Sequence, residues 1–85
     1  MHRLELEKVR ELVESGAVHP AQPLVDIAVT RHPGGRSLGF EYGEDEGTPG
    51  RYVIAVEVED TSGDIWNVEL DARTGEVLED ENMSD

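Results

Sequence analysis

Along "LELEKVRELVE", residues 4 to 14, apolar side chains return every three or four positions, with Leu6, Val9, Leu12 and Val13 on one stripe. Glu5, Glu7, Lys8, Arg10, Glu11 and Glu14 fill the other faces, which is the pattern of an amphipathic helix. Early acids suit the positive end of its dipole, and Gly16 supplies a stop. Leu4 falls off the stripe and is expected to be exposed. "SGAVHPAQP" follows as a connector punctuated by Pro20 and Pro23.

The next segment, "PLVDIAVTRHPGG", fits two periods. Val25, Ile27 and Val29 alternate as a strand would, yet Leu24, Val25, Ile27, Ala28 and Val29 also cover a broad helical face. Pro23 at the first helical position, Asp26 in the first turn and the stop at His32-Pro33-Gly34-Gly35 select a helix over residues 23–32.

The second half alternates with period two. Leu38, Phe40 and Tyr42 form one apolar row, Tyr52, Ile54, Val56 and Val58 a second, and Trp66, Val68 and Leu70 a third. Gly39, Glu41 and Gly43 alternate with the first row, Val53, Ala55, Glu57 and Glu59 with the second and Ile65, Asn67 and Glu69 with the third, as in an antiparallel sheet with one apolar face and the other turned to water. "EDEGTPG" (44–50) and "DTSGD" (60–64) are the loops between them, and Val77-Leu78 restarts as a short strand beside Leu70. Helices followed by a meander predict a two-layer α+β domain, with one or two N-terminal helices packed on a three- to four-stranded antiparallel sheet. The whole chain, residues 1–85, reads as one domain, in which 1–16 is an additional N-terminal helix and 80–85 an acidic flexible tail.

"ELDARTGEVL" (69–78) places an Asp, an Arg and a Thr close together. Asp71 can accept backbone N–H bonds from two and three residues further on, Thr74 lies in the same bend, and Gly75 supplies the positive φ for re-entering a strand. Without a partnered His or nucleophile nearby, this is a turn rather than a catalytic group.

That hairpin carries a resemblance. "YVIAVEVEDTSGDIWNVELDARTGEVL", with the preceding "LVDIAVTRHPGG", resembles the PepSY domain family over roughly residues 23 to 79. The family's "V-D-x-x-T-G-x-V-L" signature reads here Leu70-Asp71-Ala72-Arg73-Thr74-Gly75-Glu76-Val77-Leu78, with Leu70 in the usual Val place. Tyr52 and Val56 fall on its "Y-x-V-x-V" strand and Gly63 on its hairpin turn. The resemblance implies a non-catalytic, regulatory domain, peptidase-inhibitory in role, and it supports the helical reading of 23–32.

Composition narrows the chemistry. There is no Cys, which removes disulfides, thiolate nucleophiles and Cys-ligated zinc. Seven basic against twenty acidic residues give a net charge of −13, which opposes nucleic acid and anionic membranes and favours a basic protein surface. The first residues lack the apolar core of a secretory signal, so the chain as it stands is expected in the cytoplasm, or outside it if a leader has been removed. His2, His19 and His32 show no metal-binding spacing. The acid-rich loops lack the acid that a calcium loop needs five residues before its Gly, since Val58 holds that place before Gly63. "HPGGRSLG" lacks the Lys-Ser/Thr of a phosphate loop. No cofactor is implied, and an enzyme is not expected.

What remains is the outward face of the sheet, where Glu57, Glu59 and Glu69 project with Glu41, so that like charges on adjacent strands are expected to oppose one another. Val53, Ala55 and Ile65 form an apolar strip beside them, either covered by the N-terminal helix or free as a contact site. Val53, Ala55, Glu57, Glu59 and Glu69 are therefore the candidate partner surface. A sheet edge is the other, and it admits a homodimer through strand pairing. The alternative is an acidic, salt-adapted or cation-responsive protein whose charge is an adaptation rather than a site.

Overall fold

The computed structural model describes residues 1–84. Its elements in chain order are β1 (His2–Arg3), α1 (Leu6–Glu14), α2 (Ala21–Thr30), β2 (Arg36–Glu44), β3 (Tyr52–Glu59), β4 (Ile65–Asp71) and β5 (Val77–Asn82). The strands form one five-stranded antiparallel sheet in the order β1-β2-β3-β4-β5, and both helices lie on the same face. The two-layer α+β architecture holds, with a sheet wider than the alternation alone suggests. No helix among the described residues is long and apolar enough to cross a membrane.

α2 is the lid of the core. Leu24, Val25 and Ala28 return at helical spacing and are buried against Ile54, Val56 and Val58 of β3 and Val68 and Leu70 of β4. The helix starts two residues before Pro23, so that proline sits at the third helical position, where its missing N–H costs no bond. It ends at Thr30, and Arg31 and His32 donate their N–H groups to Ala28 and Val29 in a closing turn.

α1 packs mainly through Leu12, with Val9 and Val13 half-buried. Leu6 is off the packed stripe, 73% exposed, because the helix begins there and the chain only then turns over the sheet. Leu4, expected outside, packs on the core instead, and its N–H donates to the Tyr42 carbonyl as the last bond of the β1 edge. After α1, Gly16 (φ 80°) ends the helix, and the Ala17 and Val18 N–H groups both reach back to the Leu12 carbonyl.

Two further differences come from register. A bulge between Ser37 and Gly39 breaks the alternation of β2 at Leu38, which is 45% exposed. Phe40, in phase with Tyr42 on the helix side, is 51% exposed because no helix covers it, and Tyr42 alone of that row is buried. The acidic tail, expected to be flexible over 80–85, is held in the sheet over its first residues, and Asp85 lies outside the described residues. β5 runs through Asn82, pairing Glu79 with Glu69, Asp80 with Val68 and Asn82 with Trp66. The backbone ladder holds it regardless of side-chain polarity, and Asp80 is tied further to Arg31 (3.0 Å) and His32 (2.9 Å).

Gly35 shows how closely the α2–β2 connection is packed. A Cβ there would come within 2.7 Å of the Glu59 carbonyl oxygen and 2.8 Å of that of His32. Gly35→Ala is expected to destabilise by about 3 kcal/mol, as overpacking against backbone does. Gly39→Ala, facing open space, should stay within about 0.5 kcal/mol of wild type. Urea denaturation of the two variants checks this, and equal costs would contradict the packing described.

Candidate partner-binding surface

The outward face differs from its sequence reading in three ways. Val53 is not available to a partner: it is only 1% exposed. Its cross-strand neighbours are Gly43 and Asp71. Met1 fills the space where a Cβ of Gly43 would lie, and Arg51 pairs with Asp71 (3.3 Å). The N-terminal helix is not what covers this strip, since α1 lies on the opposite face. Ala55 and Ile65 remain half-buried.

The glutamates are also less opposed than alternation implies. Glu57 stands between Gly39 and Asn67, and Glu59 between Arg36 and Ile65. Arg36 bonds Glu59 at 2.9 Å, and Arg3 approaches Glu41 at 3.5 Å. Only Glu69 directly faces another acid, Glu79 of β5. Register staggers the charges that composition alone would set against one another. Glu57, exposed, has no ion-pair partner among the described residues.

On the other face lies a feature that periodicity missed. β1 pairs only with Gly43 and Glu44, and the chain then leaves the sheet for α1. The rest of β2 is an open edge. Between that edge and α1 runs a groove of about 560 Å³, lined by Leu4, Leu6, Val9, Val13, Phe40 and Tyr42 among others, with Arg3 and Arg10 at its rim. The signal was present in Leu6 and Phe40, but assigning both to a covered stripe hid it.

Asp71 closes the β4–β5 turn. Its Oδ1 accepts the N–H groups of Arg73 (2.8 Å) and Thr74 (2.9 Å), and its carbonyl accepts that of Gly75 (2.8 Å). Thr74 Oγ1 accepts the Glu76 N–H, and Gly75 adopts φ 80° with Ile27 against it. Ala72, fully buried, donates to the Tyr52 carbonyl and accepts from His19, while the Tyr42 hydroxyl donates to the His19 carbonyl (2.7 Å). The turn thus clasps the linker between the helices. Burial would raise the Asp71 pKa, but the Thr74 and Arg73 N–H bonds and the Arg51 guanidinium outweigh it and hold the carboxyl below its usual range.

A second polar cluster closes the far end. His32 is wedged between Asp80 and the Trp66 ring, with ring centroids 4.4 Å apart, and Trp66 Nε1 donates to Asp60 (2.9 Å). That bond, foremost, holds the Asp60 pKa below its ordinary value. Of the three histidines, this one is fixed in a contact; His2 and His19 have exposed side chains, although the His19 backbone is clasped.

Two expectations follow. The unfolded-state pKa of an Asp is about 3.9 and that of Asp71 in the fold lies below it, so its contribution is present at neutral pH and lost as pH falls through the folded value. Asp71→Asn should lower stability at neutral pH by about 1 kcal/mol and flatten the acid limb of a stability–pH curve; an unchanged limb would remove Asp71 as its source. Glu69→Lys should stabilise by about 0.5 kcal/mol at low salt through the facing Glu79, fading in high salt, and Glu57→Lys should not. Equal responses in denaturation would contradict the register. Compared with family models, curated proteins and solved structures, the chain gives no match.

Proposed function

We propose that this chain is a non-catalytic protein-binding and regulatory module of PepSY type. The observation that carries the reading is the apolar groove beside the open edge of β2, in which Leu6 and Phe40 are exposed, with Leu38 exposed on the same edge. Exposed apolar surface rimmed by polar residues is the common mark of a protein contact. The residue types most suggestive of chemistry are used structurally: both carboxylate oxygens of Asp71 are bonded, to backbone N–H groups and to Arg51. The helix-then-meander order and the Leu70–Leu78 hairpin support the family resemblance, and a peptidase is the first partner to test on that ground.

A photo-crosslinker at position 40, introduced into the full chain in its native host, should capture a protein partner, and one at Glu46 should not. Wild-type protein should also slow peptidase activity in a host extract more than Phe40→Asp does. Equal capture at both positions would take the groove out of the reading. Partner capture without any effect on proteolysis would leave a binding module whose partner is not a peptidase.

A further inference from the structure

We infer that the open edge of β2 accepts an extended segment of a partner protein as an added strand, and that this segment alternates apolar with basic residues. The inference rests on the binding-module reading and names the chemistry of the partner.

The backbone sets the first half. Because Leu4 donates to the Tyr42 carbonyl from the β1 side, the N–H and C=O of Phe40, two residues back, point to the same side, beyond the end of β1. An incoming strand would continue the line of β1 and satisfy them. The two edges of the sheet are not equivalent. β5 carries Glu79, Asp80 and Glu81 along its length, the kind of charged edge that resists pairing. The open stretch of β2 carries Leu38, Gly39 and Phe40.

The two faces set the side chains. Successive residues of an added strand point to opposite faces. Those on the helix side enter the groove between Phe40 and the Leu6, Val9 and Val13 side of α1, and must be apolar. Those on the other side lie beside Gly39, whose lack of a side chain lets a long side chain reach across to a depression of about 370 Å³ lined by Gly39, Glu41, Ala55, Glu57 and Asn67. Glu57 has no cationic partner of its own among the described residues, and Gly39 has nothing within 4 Å of where a side chain would begin. A Lys or Arg of the added strand fits there. The net charge of −13 steers a segment of that sign toward the protein and repels an acidic one. A second copy of this chain is disfavoured for the same reason.

The test uses the full chain and a short capped peptide alternating Val and Lys. Its controls are a peptide of the same composition in two blocks, a Val/Glu alternating peptide, and two versions N-methylated at one or the other alternate set of amides. Amide-resolved NMR should show shifts at residues 36–41 and on the groove side of α1, and slowed exchange of the Phe40 N–H. One N-methyl set should weaken binding at least about tenfold and the other little, because only one set faces β2. Glu57→Lys should weaken the Val/Lys peptide by about threefold to tenfold, less at high salt. Equal binding of the block peptide, or equal tolerance of both N-methyl sets, would overturn strand addition. Equal or tighter binding of the Val/Glu peptide would overturn the assignment of charge. Protection of Phe40 that rises with protein concentration alone would make the occupant a second copy. Shifts confined to β3–β4 or α2 would sink the edge while leaving a binding module elsewhere, and a chain that captures its partner through position 40 yet binds no peptide would keep the groove and lose the strand.

Discussion

Two short helices have to cover one face of a sheet larger than they are, and most of this structure follows from that mismatch. A ten-residue helix is about 15 Å long and about 10 Å across, whereas five strands at their usual spacing span about 20 Å in width. α2 lies across β2, β3 and β4, and beneath it Ile54, Val56, Val58, Val68 and Leu70 reach full burial. α1 has to take the remaining side, and only Leu12 of it is buried. The row along β2 is therefore covered at Tyr42 and uncovered at Phe40 and Leu38. The bulge in β2 belongs to the same account, since it turns Leu38 away from a face on which no helix remains to cover it.

Placing α1 at that side depends on the linker rather than on the helix itself. Glu5 makes no capping bond, and the helix has little buried surface of its own. What fixes it is the passage from Val18 to His19, with Val18 buried and the His19 backbone bonded on one side to Ala72 and on the other to Tyr42. Ala72 can serve only because Asp71 and Gly75 bend the chain around it. A short motif at one end of the sequence thus sets the position of a helix at the other, which ties the geometry of the β4–β5 turn to the width of the groove.

The parts legible in the sequence are those decided by period. Tyr52 to Val58 and Trp66 to Leu70 alternate without interruption, and the stretch before His32-Pro33-Gly34-Gly35 has a helical face, so these elements and their layer order could be read directly. Period says which side a residue takes and nothing of what lies over it. Val53 is on the outward side as alternation requires, yet it is buried, because Gly43 leaves room for Met1. Nor does period fix register. The glutamates of adjacent strands fall opposite Gly39, Asn67, Arg36 and Ala55, and only one pair meets head-on. The strand restarting at Val77-Leu78 was legible, but its extension from Glu79 to Asn82 escaped because those residues are polar, although strand pairing is made by backbone groups that every residue but proline carries.

Register and edge together give the acidity a structural meaning that the bare charge lacks. Acids on β5 sit where an unpaired ladder would otherwise invite another chain, and there they oppose association. Around β2, Arg3 pairs with Glu41 and Arg36 with Glu59, whereas Glu57, opposite Gly39, has no ion-pair partner among the described residues. The pairs are exposed and add little to stability. An acidic segment, including a second copy's own β5, would meet repulsion at long range, whereas a basic one would meet attraction there and, at Glu57, close by as well. On the inference of strand addition, the same excess of acid would guard one edge of the sheet and make the other selective.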